Sequence, residues 1–91
     1  MSLTSKERQR FKAKSHYLKP VILVGQNGIT EGVIKETNHA LQAHELIKVQ
    51  IQGEDRDARL QGAQAMADQL HAELVHHIGK IYIFYRQRQD T

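Results

Sequence analysis

Apolar and polar positions follow two periods along the chain. In Leu46-Ile47-Lys48-Val49-Gln50-Ile51 they alternate, setting Ile47, Val49 and Ile51 on one face and Lys48 and Gln50 on the other, the pattern of a half-exposed strand. Val33, Ile34, Ala40 and Leu41 instead recur at helical spacing, and Thr30 supplies an N-cap, so a helix is predicted from there to about His44. Leu60, Ala63, Ala67 and Leu70 form the buried stripe of a further helix, capped by Asp55 or Asp57 and ending near His71. Gly62 lies inside it. Glycine costs about 1 kcal/mol there against alanine, so a neighbouring element is expected to approach closely at that point.

The N-terminal segment opens with Thr4-Ser5-Lys6-Glu7, a capping box in which hydroxyl and carboxylate each satisfy a free backbone N–H. A helix from about Ser5 to Ser15 follows. Phe11, Ser15 and Leu18 fall on one narrow seam, while Lys6, Arg10 and Lys14 on one side and Arg8 and Lys12 on the other form cationic stripes left in water. Pro20 disfavours helix in the residue before it, so the helical stretch is over by Lys19. Val21–Val24 shows no alternation and predicts a strand buried on both faces, as in a central or parallel position. Leu74–Ile78 and Ile81–Tyr85 read as strands joined by a two-residue hairpin at Gly79-Lys80. The order α-β-α-β-α-β-β predicts an α/β fold with parallel βαβ units and one antiparallel strand from the hairpin.

At 91 residues the chain is predicted to be one domain, with no repeat or linker. Residues 1–20 form a basic helix and lead-in, 21–86 an α/β core and 87–91 a short tail. The absence of cysteine excludes disulfides, thiolate metal sites and a cysteine nucleophile. The longest aliphatic run, Val21 to Val24, is far short of the roughly 18 apolar residues of a membrane helix. No signal-like h-region follows Met1. A cytoplasmic protein without a membrane partner is expected.

The formal net charge of +3 is unevenly spread. Lys6, Arg8, Arg10, Lys12, Lys14 and Lys19 face only Glu7 in residues 1–20, the middle of the chain is acidic, and Lys80, Arg86 and Arg88 make the end basic again. Cationic ends that met in space would attract polyanions. Taken alone, a basic run can equally be a solubilising surface.

Gly25-Gln26-Asn27-Gly28 lies between the first strand and the helix that Thr30 caps. Such a turn can aim backbone N–H groups at a phosphate, with the helix N-terminus adding partial positive charge. Two glycines at a strand-to-helix turn are also common for steric reasons alone. The P-loop Lys-Ser/Thr and the third glycine of a dinucleotide fingerprint are missing, so no nucleotide cofactor is expected. Glu31 in the first helical turn would repel a phosphate placed there.

His16, the run Leu18-Lys19-Pro20-Val21-Ile22-Leu23-Val24-Gly25-Gln26-Asn27-Gly28-Ile29-Thr30, then His44-Glu45-Leu46-Ile47-Lys48-Val49, Ile78-Gly79-Lys80 and Tyr85-Arg86 together resemble the signature of the CRM domain, in its stand-alone bacterial YhbY form. The resemblance spans nearly the whole chain. It implies a two-layer α/β sandwich with a four-stranded mixed sheet, similar to the C-terminal domain of translation initiation factor three. It further implies a non-enzymatic, cofactor-free RNA-binding protein that associates with precursors of the large ribosomal subunit and assists ribosome assembly, with rRNA as its partner. The implied RNA surface is the Gly25–Gly28 loop with adjoining basic residues, by analogy with KH domains. The residues expected in it are Gly25, Gln26, Asn27 and Gly28, with Lys6, Arg8, Arg10, Lys12, Lys14, His16, Lys19, Lys48, Lys80 and Arg86 around them. A monomer is expected.

Other chemistry is less well supported. His76 and His77 are adjacent on a strand and should face opposite ways, and His39 and His44 are five apart, so neither pair has a chelating spacing. Glu54, Asp55 and Asp57 at a helix start are better read as cap and dipole partners than as a magnesium cluster. Tyr82, Phe84 and Tyr85 could stack bases as in RRM sheets, but the RNP1 pattern is missing and Tyr85 shares a face with Ile81 and Ile83, which favours a core role. Two alternatives stay open: an adaptor that reaches ribosomal particles through a protein, and a general RNA binder that uses its sheet face.

Overall fold

The Thr4 hydroxyl accepts the Glu7 amide at 3.1 Å and the Glu7 carboxylate accepts the Thr4 amide at 3.0 Å, so the capping box forms and starts α1 (Ser5–Ser15). The structure, a computed structural model, describes residues 3–88. After α1 come β1 (Ile22–Val24), α2 (Glu31–His44), β2 (Leu46–Ile51), α3 (Arg56–Leu70), β3 (Glu73–Ile78) and β4 (Ile81–Tyr85). Thr30 caps α2 and Asp55 caps α3, each through its side-chain oxygen. Gly79 takes φ 57° in the β3–β4 turn, the left-handed conformation that a tight hairpin turn demands of its first residue. The predicted tail residues beyond Arg88 lie outside the described residues.

The sheet order is β1-β2-β4-β3. β1 and β2 are parallel, and β4 runs antiparallel to both of its neighbours, wedged between β2 and β3. The hairpin therefore adds one antiparallel strand, but in the middle of the sheet. Ile47, Val49 and Ile51 on β2, with Tyr82 and Phe84 on β4, point into the main core beneath α2 and α3, where Leu41, Ala63, Met66, Ala67 and Leu70 meet them. α1 lies on the opposite face, where Phe11 packs with Val75 and Ile83 and stacks on Tyr85 at 4.1 Å between ring centroids. Tyr82 and Phe84 are thus core residues, and half-buried Tyr85 packs against the smaller cluster on the α1 face. Buried Thr37 interrupts the apolar stripe of α2 and donates its hydroxyl to the Val33 carbonyl at 2.7 Å.

The expectation for residues 21–24 is corrected. Ile22 and Val24 are buried, but Leu23 is 58% exposed and Val21 lies exposed before the strand. β1 is an edge strand covered by α2 on one face, while α1 packs mainly on β2, β4 and β3 and leaves the other face of β1 open at Leu23. The parallel pairing holds; burial on both faces does not. Gly62 behaves as its cost suggests: a Cβ there would sit 3.1 Å from Ile29 Cδ1, so α3 closes on the segment that leads into α2.

Candidate nucleic-acid interface

The Gly25–Gly28 loop leaves β1 as a tight turn closed by the Gly28 amide donating to the Gly25 carbonyl at 3.0 Å. Gly28 has φ 74°, which a side chain would strain. Gly25 has an ordinary backbone and open space where a Cβ would stand, so packing does not explain its lack of a side chain. Gln26 and Asn27 at the turn centre are exposed. Their amides lie outside the closing bond, as in any β-turn. The loop sits at the C-terminal end of the parallel strands. There the Gln52 amide donates to the Val24 carbonyl at 2.9 Å and the Ile51 amide to the Lys80 carbonyl at 2.8 Å, so Lys80 in the hairpin turn shares this end of the sheet with the loop.

The remaining cations divide. Lys6, Arg10, Lys12, Lys14, His16 and Lys19 are exposed on α1 and its lead-in. The Arg10 guanidinium carbon lies 5.4 Å from the Phe11 ring centroid. Lys48 projects from β2 toward α1 and lines two hollows at the helix C-terminus. One is a cleft of about 490 Å³ shared with Lys14 and Lys19, the other a hollow of about 80 Å³ shared with His16 and His76. Arg8 and Arg86 are engaged differently. Arg8 donates to the Leu74 and Val75 carbonyls at 2.8 and 3.1 Å and lies 4.0 Å from the Glu73 carboxylate, tying α1 to the edge strand. Arg86 donates to Asn38 Oδ1 at 2.8 Å, the Leu70 carbonyl at 3.0 Å and the Asn38 carbonyl at 3.2 Å. Both use their donors inside the fold, at the end of the sheet away from the loop.

A bulge on β3 sets the histidines. Pairing shifts between Leu74 and His76, so Leu74 opposes Phe84 while His76 opposes Ile83 and His77 opposes Tyr82. His76 therefore faces the α1 side and His77 the α2 and α3 side, where its ring stacks on Tyr82 at 5.8 Å. The His76 Nε2 is buried with no hydrogen-bond partner among the described residues. Burial first, and then the nearby Lys12, His77 and His16, hold the His76 imidazole below its ordinary pKa. Among the described residues no three His, Asp or Glu side chains gather as a metal site. No described helix is long and apolar enough to cross a membrane.

Charge differs between the sheet faces. α1 carries Lys6, Arg8, Arg10, Lys12 and Lys14 against Glu7 over one face, whereas on the other α2 and α3 mix Glu31, Glu36, Asp57 and Asp68 with Lys35, Arg56 and Arg59 and are close to neutral. Two features escaped the sequence reading. Tyr17 is 91% exposed on the basic side, and Val21 and Leu23 extend an exposed apolar strip from it toward the loop. An aromatic residue between His16 and Lys19, off the predicted helix seam, was the available signal.

Comparison with known proteins accords with this architecture. The family model for the CRS1/YhbY (CRM) domain matches residues 3–86. A Pseudomonas aeruginosa protein named a probable RNA-binding protein is 42% identical over 87 residues, covering 96% of this chain and 84% of that protein. A Haemophilus influenzae protein named an RNA-binding protein is 39% identical over 90 residues, covering 99% and 91%. The solution structure of a hypothetical protein from Staphylococcus aureus superposes with a TM-score of 0.86 at 29% identity, covering 98% of this chain and 93% of that one. With its motifs, its fold and these relatives in agreement, the chain belongs to the CRS1/YhbY (CRM) domain family.

Proposed function

We propose that this chain is a cytoplasmic RNA-binding protein, without catalytic activity or cofactor, that associates with precursors of the large ribosomal subunit and assists their assembly. The names of its relatives support RNA as the partner. The observation that carries the reading is the concentration of cations on α1, over one sheet face, with the opposite face close to neutral and the Gly25–Gly28 loop at the edge where the two faces meet. At physiological salt, exposed charges act over about 8 Å, so a phosphate backbone is drawn to the cationic α1 side, while the mixed charges of α2 and α3 on the other face offer it little net attraction. In this reading the free amides of Gln26 and Asn27 hold one phosphate. Lys12, Lys14, Lys19, Lys48 and Lys80 neutralise others, and the Gln26 and Asn27 side chains meet sugar or base edges. Arg8 and Arg86 hold the fold that presents this surface.

Sedimentation of a native lysate on a sucrose gradient at low salt tests the ribosomal part. The protein should migrate with particles at or just below the large subunit and move to the top after moderate salt. Remaining at the top in low salt would refute ribosomal association. Retention of a protein partner after nuclease digestion would favour the adaptor reading instead.

A further inference from the structure

Three consecutive i to i+3 bonds follow α1: the His16 amide to the Ala13 carbonyl at 3.2 Å, Tyr17 to Lys14 at 3.2 Å and Leu18 to Ser15 at 3.0 Å. They fix the backbone of Tyr17 while leaving its side chain 91% exposed. An aromatic ring displayed from a fixed backbone and left almost wholly exposed is a costly use of an apolar surface. Beside it lies the cleft of about 490 Å³, within the range of small-ligand sites. Leu46 and Tyr85 contribute apolar walls, and Lys14, Lys19 and Lys48 line it from α1, the lead-in and β2. The lining carboxylate, Glu45, already accepts the Arg88 amide at 2.6 Å. Val21 lines the cleft too, and Leu23 continues the exposed strip on the same sheet face to Gly25. At about 3.3 Å per residue the strip is about 13 Å long.

We infer that this cleft receives an unpaired nucleotide of the bound RNA, its base stacked on Tyr17 and its phosphate held by Lys14, Lys19 and Lys48, with the strand continuing over Val21 and Leu23 to the Gly25–Gly28 loop. The inference rests on the RNA-binding reading above. It adds that the ligand is single-stranded at this point, because a paired base within a duplex cannot offer its face to Tyr17. Three lysines around an apolar cleft match a polyanion with flat apolar bases better than an apolar peptide segment or a second copy of this basic chain.

Fluorescence anisotropy with a labelled single-stranded oligoribonucleotide and a duplex of the same sequence separates the possibilities. Tyr17→Ala should weaken single-strand binding by roughly tenfold while leaving duplex binding and the salt slope unchanged, and Tyr17→Phe should restore affinity. Lys19→Ala should instead reduce the salt slope by about 0.7. Because Tyr17 is exposed, unchanged circular dichroism is expected for both tyrosine variants. Wild-type affinity in Tyr17→Ala, or equal losses on single strand and duplex, would overturn the cleft assignment alone. Failure of the wild type to bind either RNA would overturn the underlying reading. A change in the self-association of Tyr17→Ala at unaltered RNA affinity would identify a second copy as the occupant and also overturn the assignment.

Discussion

Arg86 grips Asn38 twice, through the side-chain oxygen at 2.8 Å and the backbone carbonyl at 3.2 Å, and with the same guanidinium reaches the Leu70 carbonyl at 3.0 Å. One side chain at the end of β4 thereby joins the middle of α2 to the last turn of α3, satisfying a carbonyl that the helix terminus leaves free. Hydrogen bonds from charged donors contribute about 1.5–3 kcal/mol each when well formed, less where water competes. Arg86→Ala is therefore expected to lose about 2–3 kcal/mol of stability in urea denaturation, with RNA affinity of the folded protein little changed. A large affinity loss in a stably folded variant would return Arg86 to the RNA surface.

The two loop glycines should separate in opposite ways. Gly28→Ala puts a side chain at φ 74° and is expected to cost about 1 kcal/mol of stability. Gly25→Ala meets nothing within 4 Å and should fold normally. If RNA approaches the backbone there, Gly25→Ala still loses affinity, and thermal melts run beside binding titrations would show the split.

Glu45 is the single residue between α2 and β2 and is held at φ 64°, ψ −47°, outside the regions comfortable for a side chain. Its amide donates to the Leu41 carbonyl at 2.8 Å, its carbonyl accepts the Arg86 amide at 2.9 Å, and its carboxylate accepts the Arg88 amide. Glu45→Ala keeps the strain and loses the last bond. Glu45→Gly loses the same bond but relieves the strain, so it should be the more stable of the two by about 1 kcal/mol in chemical denaturation.

His76 links stability to pH. Its folded-state pKa is depressed, so between that value and the ordinary value of 6.5 the unfolded chain binds more protons than the folded one. The contribution of the neutral imidazole is complete above pH 6.5 and declines as the pH falls below it. Melting temperatures measured at pH 7.5 and 5.5 should differ less for His76→Gln than for the wild type. Identical pH dependence would show that another group sets it.

Local signals made much of this fold legible in the sequence. The Thr4 and Glu7 capping box, the alternation of Leu46–Ile51 and the Gly79-Lys80 turn each act within a few residues and lie where they were read. What could not be read depends on partners distant in sequence. The exposure of Leu23 follows from which strand occupies the sheet edge, and the siding of Val75 and His76 from a bulge visible only in the pairing with β4. Arg8 and Arg86 look like any other cations until the fold brings carbonyls from Leu74 and Leu70 to them. The cationic character of α1 was plain from its stripes. That α2 and α3, with their mixed charges, would both lie on the opposite face required the sheet.

The central claim is that RNA lies on the α1 side of the sheet. It is tested most directly by two charge reversals on exposed helix positions, Lys12→Glu on α1 and Lys35→Glu on α2, with affinity for one single-stranded RNA measured as a function of salt. With about four phosphates neutralised, the wild-type logarithmic salt slope should be near −3. Lys12→Glu should weaken binding and flatten that slope, and Lys35→Glu should leave both nearly unchanged. Equal losses from the two reversals, or a wild-type slope near zero, would contradict the account.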